Sequence, residues 1–116
     1  MSLPVPGSPV RGSKTGKPIM ALLDLLGRTW ALGIIWQLRN EALSFGKLQL
    51  CCENISPTLL TKRLKELQQT NLIEKNLQGY QLTAVGLELF DVISPLSQWT
   101  KLWQLSFDKP QKPQRN

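Results

Sequence analysis

Residues 55–67 read Ile-Ser-Pro-Thr-Leu-Leu-Thr-Lys-Arg-Leu-Lys-Glu-Leu, a pattern that predicts a short helix with two unlike faces. At about 100° per residue, the leucines fall on one side and the polar residues on the other. The leucine side holds Leu60, Leu64 and Leu67, and the opposite side holds Thr58, Lys62, Lys65 and Gln69. Ser56 is a natural N-cap and Pro57 a natural first helical residue, so a sharp helix start is expected there.

A shorter helix is predicted just before this one. Ser44 is a second N-cap candidate, and the apolar residues after it favour a helix from Phe45 to about Cys52. A tight connection then leads to the longer helix, which should run from Pro57 to about Thr70. This is the order of a helix-turn-helix, although an ordinary antiparallel helix pair fits the apolar positions equally well.

The segment after the helix pair distinguishes these alternatives. Residues 72–75 and 80–82 are short β-type runs, and residues 76–79 between them suit a hairpin turn. Thr83 then caps a last helix that starts at Ala84. A hairpin at this place is typical of a winged helix and has no role in a helical bundle. The predicted fold is therefore mainly α with a small β-hairpin, a winged helix-turn-helix.

Two helices are predicted ahead of this unit, from Ile19 to about Leu26 and from Trp30 to about Arg39. Gly33 lies inside the second and indicates either an irregular helix or a close helix crossing.

The net charge of +6 is unevenly distributed along the 116 residues. Residues 1–18 hold three basic residues and no acid, residues 106–116 hold three basic residues and one acid, and the segment between them holds eight basic and seven acidic residues. We therefore predict one domain over residues 17–105, with a flexible basic arm over 1–16 and a flexible basic tail over 106–116.

Several classes of protein are disfavoured by the composition. The chain has no histidine, its acids are scattered, and it shows no glycine-rich phosphate loop or metal-ligand spacing, so we expect neither an enzyme nor a cofactor. The chain contains no run of about 18 apolar residues, so no membrane span is predicted. Residues 1–16 lack the apolar segment of a signal peptide. A cytoplasmic location is expected.

Cys51 and Cys52 are adjacent, which excludes an intramolecular disulfide framework. The simplest interpretation makes one of them a small buried hydrophobic residue. A thiol sensor acting between subunits is the alternative.

The last predicted helix carries more apolar surface than the core of a small domain can accept, and Pro95 should bend or interrupt it. Trp99 and Trp103 are one turn apart and share a face, which favours burial against a second copy of the chain. The expected interface of this homodimer comprises Leu22, Leu96, Trp99, Leu102 and Trp103. An unusually large internal core is the alternative.

In their order along residues 17–103, several motifs resemble the HxlR-type branch of bacterial winged-helix transcriptional regulators, which share the architecture of the MarR repressors. The matching motifs are Leu25-Leu26-Gly27 before Trp30, Ser44-Phe45-Gly46 with Leu48, Ile55-Ser56-Pro57 with Leu60, Arg63 and Leu64, residues 71–75, and residues 80–83 with Gly86. The resemblance implies a dimer formed by the first and last helices. It also implies binding to double-stranded DNA, with each second helix of the helix-turn-helix in a major groove and each hairpin beside it.

Two positions depart from the family pattern. Many members respond to thiol oxidation or electrophiles through a cysteine just before the first helix, whereas this chain has Lys17 ahead of Pro18. The hairpin turn is also shorter than the basic loop of many members, so the basic arm is a candidate to replace its contacts. The sequence predicts no particular effector.

The residues expected to contact DNA fall into two groups. The candidates for base or groove contact are Thr58, Thr61, Lys62 and Lys65, and those for phosphate contact are Ser44, Lys47, Ser56, Arg63 and Lys75. Arg63 lies beside the buried edge of its helix, so a structural role is equally open. The alternative function is a winged-helix module that binds protein instead of DNA, motivated by the nearly neutral central segment.

Overall fold

The computed structural model describes residues 3–10 and 13–108 of the chain. Within these residues lie six helices and one two-stranded antiparallel sheet. The helices are α1 (Pro18–Leu26), α2 (Ala31–Gln37), α3 (Phe45–Cys51), α4 (Pro57–Gln69), α5 (Ala84–Ile93) and α6 (Leu96–Asp108), and the strands are β1 (Ile73–Asn76) and β2 (Gly79–Leu82). The predicted winged-helix order is confirmed, and the break at Pro95 divides the predicted last helix into α5 and α6.

The core lies where α2, α3 and α4 meet. Its largest fully buried side chains are Ile34, Ile35, Leu48, Leu60, Leu64, Leu67 and Cys52. Ile73 and Leu82 of the hairpin close the core from the other side. The predicted buried face of α4 is thus confirmed, and burial of each leucine side chain stabilises the fold by about 1.5–3 kcal/mol.

The turn between α3 and α4 reverses the chain with backbone in the left-handed region. Glu53 and Asn54 have φ angles of 58° and 60°. The Asn54 amide donates to the Gln49 carbonyl at 2.8 Å, and the Gln49 side-chain amide donates to the Ile55 carbonyl at 3.0 Å. Because Ile55 is buried as well, the two helices are held at a defined angle.

The hairpin is short and fixed to the domain body. Asn76 pairs with Gly79 across the turn, and the Asn76 side-chain oxygen accepts from the amides of Gln78 at 2.8 Å and Gly79 at 3.1 Å. The backbones of Leu43 and Tyr80 exchange two hydrogen bonds, of 2.9 and 2.8 Å. The hairpin therefore holds a defined position beside the start of α3.

The junction of α1 and α2 differs in detail from the prediction. Trp30, expected as the first residue of the second helix, has a φ of 68° and precedes it. Its ring covers Gly33, where a Cβ atom would overlap the ring, so this glycine accommodates an aromatic side chain rather than a second helix. Among the described residues no single helix could cross a membrane by length and composition, and α1 with α2 pass that test only as a pair bent by 84°.

The described part of the predicted flexible arm lies against α1, and its flexibility stays a prediction. The Gly7 amide donates to the Gly16 carbonyl at 2.9 Å, and Pro4 is buried. A small cavity of about 150 Å³ lies between the arm, α1 and the start of the hairpin, lined by Pro4, Pro6, Pro18, Ala21, Leu22, Leu25, Thr70 and Leu72. Prolines and an apolar helix face can pack without water, which gives the arm its anchor. Arg11 lies outside the described residues.

The C-terminal boundary also shifts. Helix α6 continues to Asp108, past the predicted start of the tail at residue 106. Apolar Phe107 extends the helical pattern there. The basic residues expected in the tail, at positions 109, 112 and 115, lie outside the described residues.

Candidate nucleic-acid interface

The outer face of α4 presents the side chains that the sequence predicted for base contact. Thr58, Thr61, Lys62 and Lys65 are all exposed. Thr58, Lys62 and Lys65 lie opposite the buried leucines, and Thr61 lies at the edge of that face. From Thr58 to Lys65 the helix rises about 10 Å, at 1.5 Å per residue. That length fits within a B-DNA major groove, which is about 12 Å wide and accepts one helix.

The start of α4 offers hydrogen-bond donors. The Ser56 hydroxyl accepts from the Leu59 amide at 3.1 Å, and Pro57 occupies the first helical position. A hydroxyl that accepts a capping bond still has its own proton to donate. Together with the positive end of the helix dipole, this hydroxyl suits contact with an anionic group.

Ser44 has the same arrangement at the start of α3. Its hydroxyl accepts from the Lys47 amide at 3.2 Å, and the side chains of Ser44 and Lys47 are both exposed. The structure therefore brings three of the predicted phosphate residues, Ser44, Lys47 and Ser56, to the beginnings of the two helices that form the helix-turn-helix.

Lys75 is exposed on the hairpin and its ammonium lies 5.5 Å from the centroid of the Tyr80 ring. This cation–π contact steadies a long side chain while its charge stays accessible. The neighbouring Glu74 accepts a 2.7 Å hydrogen bond from the Gln81 side chain, which leaves its negative charge uncompensated. The sequence did not indicate the role of Tyr80, because only the strand register sets it opposite Lys75.

Arg63 is placed differently from the other predicted phosphate residues. Its Nε donates to the Thr29 carbonyl at 2.7 Å, and its Nη1 lies 3.1 Å from Glu66 Oε1. Arg28 Nη1 reaches Glu66 Oε2 at 2.8 Å. Both arginine side chains are nearly buried, at 8% and 11% exposure, so of the two roles left open for Arg63 the geometry favours the structural one.

This placement decides which charged side chains α4 exposes. Glu66 is the acidic residue of α4, and its carboxylate is buried between two arginines. The charged side chains that α4 exposes are Lys62 and Lys65, both positive. The outer face of α4 is therefore more electropositive than the nearly neutral count for the central segment suggests.

The two cysteines differ in environment. Cys51 is exposed, and Cys52 is fully buried in the core. Burial raises the pKa of Cys52 to about 11, so its thiol stays protonated near neutral pH. This agrees with the interpretation of one cysteine as a small buried hydrophobic residue.

An apolar surface remains exposed along α6, where no residue is buried within the single chain. Trp99 and Trp103, stacked with centroids 5.6 Å apart, are 52% and 53% exposed, and Leu96 and Leu102 are also exposed. An unusually large internal core is therefore not the explanation for these residues.

On α1 the exposed apolar residues are Ile19 and Leu23, whereas Leu22 is half-buried beside the arm. The predicted interface residue Leu22 is thus less exposed than Ile19 and Leu23, which form the exposed apolar stripe of α1. The four-residue spacing of Ile19 and Leu23 would have identified that stripe from the sequence.

Comparison with known proteins gives consistent matches. A family model described as HxlR-like helix-turn-helix matches residues 25–107. YvaP of Bacillus subtilis, described as an uncharacterized HTH-type transcriptional regulator, is 27% identical over 88 residues, covering 70% of this chain and 82% of the relative. A regulator with the same description from Methanocaldococcus jannaschii is 27% identical over 89 residues, covering 73% and 84%.

Solved structures show the same fold. Quinone-bound YodB from Bacillus subtilis superposes with a TM-score of 0.67 at 30% identity, covering 72% of this chain and 96% of YodB. A transcriptional regulator of the MarR family from Porphyromonas gingivalis superposes with a TM-score of 0.67 at 23% identity, covering 79% of this chain and 97% of that one. At that identity, the second likeness is evidence for the winged-helix fold alone.

Proposed function

The chain belongs to the HxlR-like helix-turn-helix family, and from that premise we propose that it is a homodimeric repressor that reads a two-fold operator with α4 in the major groove. The family model and the named relatives describe regulators of transcription, so the protein is a DNA-binding regulator and not an enzyme. A protein that binds chromosomal DNA in this way works in the cytoplasm. A dimer bound across a promoter excludes other proteins from the same base pairs, which is the physical basis of repression.

The observation that carries this proposal is the exposed polar stripe of α4. Lys62 and Lys65 are its only exposed charges among the described residues, and Glu66, which would oppose them, is turned inward and paired. In our proposal Lys62 donates to guanine acceptors, and the hydroxyl or methyl groups of Thr58 and Thr61 meet base edges or a thymine methyl.

Phosphate contacts come from the residues around this stripe. We assign Ser44, Lys47, Ser56 and Lys75 to the DNA backbone, where they set the register of the protein without reading sequence. Arg63 leaves this group, because its guanidinium is held within the domain. The domain proper extends over residues 17–105 and on to the end of α6, with basic residues of the arm and tail adding non-specific attraction.

The homodimer rests on the unpartnered apolar faces of α6 and α1. Side chains such as Trp99, Trp103 and Leu102 would be costly to leave in water, and a second copy offers an identical, self-complementary face. Two recognition helices related by a two-fold axis then reach successive major grooves, roughly 34 Å apart on one side of the duplex.

YodB binds a quinone in its structure. In this chain Lys17 occupies the position before the first helix where the family resemblance places a reactive cysteine, so we propose that a covalent switch at that position is absent here. The competing function, a winged-helix module that binds protein alone, would suit an apolar outer face on α4, which is not observed.

The repressor proposal is tested by selecting fragments of the source genome that the purified protein binds. We expect enrichment of a few promoter fragments that share a two-fold motif, with binding that weakens as salt is raised. Uniform recovery of all fragments, or no salt-dependent binding, would remove support for sequence-specific repression.

Replacing Lys62 by alanine should weaken operator binding and relax base preference at one position in each half-site. A lost bidentate contact to guanine costs about 1–3 kcal/mol, or roughly 5- to 150-fold in affinity for that base. The measurement is competition binding against operators that are varied one base pair at a time.

Lys47→Ala is the matched control, because it also removes one exposed lysine charge. Its affinity should fall alike for all sequences, and the slope of log affinity against log salt should decrease by about one unit. If Lys62→Ala behaved in the same uniform way, Lys62 would be a phosphate contact and not a reader of bases.

A further inference from the structure

A buried cluster of four charged side chains connects α1 to α4. Arg28 Nη1 lies 2.8 Å from Glu66 Oε2, and Arg28 Nη2 lies 3.8 Å from Asp24 Oδ2. Arg63 Nη1 lies 3.1 Å from Glu66 Oε1, and Arg63 Nε donates to the Thr29 carbonyl at 2.7 Å. We call these four side chains, Asp24, Arg28, Arg63 and Glu66, the arginine–carboxylate cluster.

The cluster is nearly removed from solvent. The side chains of Asp24, Arg28, Arg63 and Glu66 are between 2% and 11% exposed. Removing such charges from water has a large desolvation cost, and apolar residues of similar volume often stabilise a fold equally well or better. Net stability is therefore a weak reason for such a cluster, whereas charge-assisted hydrogen bonds provide directional restraint.

The restraint acts on α4 at two points. Arg63 and Glu66 lie three residues apart on the inner side of the helix, and both are tied to the segment at the end of α1. Lys62 is the immediate neighbour of Arg63, and Lys65 is the neighbour of Glu66. The two exposed lysines therefore lie on the same turns of α4 as the two residues that the cluster restrains.

Small rotations of α4 matter for base contact. Side-chain tips lie about 5–6 Å from a helix axis, so a rotation of about 10° displaces them by about 1 Å. Hydrogen bonds weaken strongly over such a displacement, whereas attraction to the phosphate charge hardly changes. Rotational freedom of α4 would thus lower sequence discrimination before it lowers general affinity for DNA.

Helix α1 links this restraint to the proposed dimer. Its exposed residues Ile19 and Leu23 belong to the apolar surface described above, and Asp24 on the same helix contacts Arg28. The cluster therefore connects the helix proposed to meet the partner subunit with the helix proposed to read the DNA.

We propose that the arginine–carboxylate cluster is a positioning element that sets the rotation of α4 and thereby the sequence specificity of the protein. This inference rests on the proposed function, since it concerns the same reading face. Arg63 and Glu66 do not read the bases themselves. They position Lys62, Lys65 and the neighbouring threonines, which do.

Arg63→Lys is the variant that tests it. The net charge is unchanged, but a single ammonium cannot reproduce the fork that joins Glu66 and the Thr29 carbonyl. We expect the ratio of operator affinity to random-DNA affinity to fall roughly tenfold, the cost of about one mismatched base pair, with the affinity for random DNA and its salt slope unchanged. Arg39→Lys, an exposed arginine whose Nη1 donates to the Trp36 carbonyl at 2.8 Å, is the matched control and should keep the ratio.

The affinity ratio separates positioning from simple loss of stability. A smaller folded fraction lowers both affinities alike and leaves their ratio unchanged, so an unchanged ratio in Arg63→Lys would overturn the inference. A second variant, Arg63→Met, tests the alternative that Arg63 contacts a DNA phosphate. If its slope of log affinity against log salt on random DNA were smaller by about 0.9, Arg63 would be a phosphate contact, and the inference would be overturned.

Failure of the proposed function gives a different result. If the unmodified protein bound its best genomic fragment no more tightly than random DNA, there would be no specificity for the cluster to set. A ratio well above one in the unmodified protein, lowered in Arg63→Lys and kept in Arg39→Lys, supports both proposals.

Discussion

Replacing Trp99 and Trp103 together by glutamine should convert the protein from a dimer to a monomer and lower its affinity for a two-fold operator by about 10²–10⁴-fold. The two rings stack on each other at 5.6 Å, and each is about half exposed in the single chain. In the proposed dimer they become buried against the partner, where large aromatic residues dominate the energy of an interface.

The loss in affinity follows from the linkage of two half-sites. Once one subunit is bound, the second recognition helix binds at a high effective concentration, and a monomer lacks this advantage. The molecular mass is measured by sedimentation equilibrium, and the affinity is measured on a full operator and on an isolated half-site. Affinity for the half-site should change little, since α4 is untouched.

Leu77→Gln is the matched control for this substitution. Leu77 is fully exposed at the tip of the hairpin, so the same kind of exposed apolar side chain is replaced far along the chain from α6. It should leave the protein dimeric. A Trp99→Gln/Trp103→Gln protein that remained dimeric at the same concentration would contradict an interface through α6.

Substituting Gly86 by alanine should lower the free energy of unfolding by about 3 kcal/mol, at the upper end of the cost of overpacking. Gly86 is buried in the first turn of α5, and a Cβ atom there would overlap the carbonyl oxygen of Leu72. That oxygen cannot move aside freely, because it accepts a 3.0 Å hydrogen bond from the Thr83 amide. The clash outweighs the gain of about 1 kcal/mol that alanine normally brings to a helix.

Urea denaturation at fixed protein concentration measures this effect, with Gly46→Ala as the control. Gly46 lies near the start of α3, and a Cβ atom there would meet nothing within 4 Å. Alanine at position 46 should therefore raise stability by about 0.5–1 kcal/mol. A Gly86→Ala protein as stable as the unmodified one would show that α5 does not pack as closely on Leu72 as the structure indicates.

The elements of the fold were predictable because local signals agree with one another. Ser44, Ser56 and Thr83 each precede a helix and each accepts a capping hydrogen bond, as their residue types indicate. The asparagine and glycine at the two ends of the hairpin turn identified it in the same way. These features depend on neighbours in sequence, so a pattern of a few residues is sufficient to find them.

The candidate site was predictable only in part. The exposed stripe of α4 follows from helical periodicity, but the partners of Arg63 and Glu66 lie 34 to 38 residues away, at Thr29 and Arg28. No local signal identifies such partners. The contact of the arm with α1 could not be predicted for the same reason, since the surface beside Pro4 exists only after α1 and the end of α4 have come together.

The sequence by itself determined the winged-helix order, the buried and exposed faces of α4 and the apolar excess of α6, because each depends on periodicity and on residue types at helix ends and turns. Tertiary structure alone decided which charges remain at the surface. It buried Glu66 between Arg28 and Arg63. The acidic Glu66 and the basic Arg63 are thereby removed from the exposed surface of α4, and Lys62 and Lys65 are its remaining exposed charges. The physical reason is desolvation, since a carboxylate leaves water only where folding supplies cations to hold it.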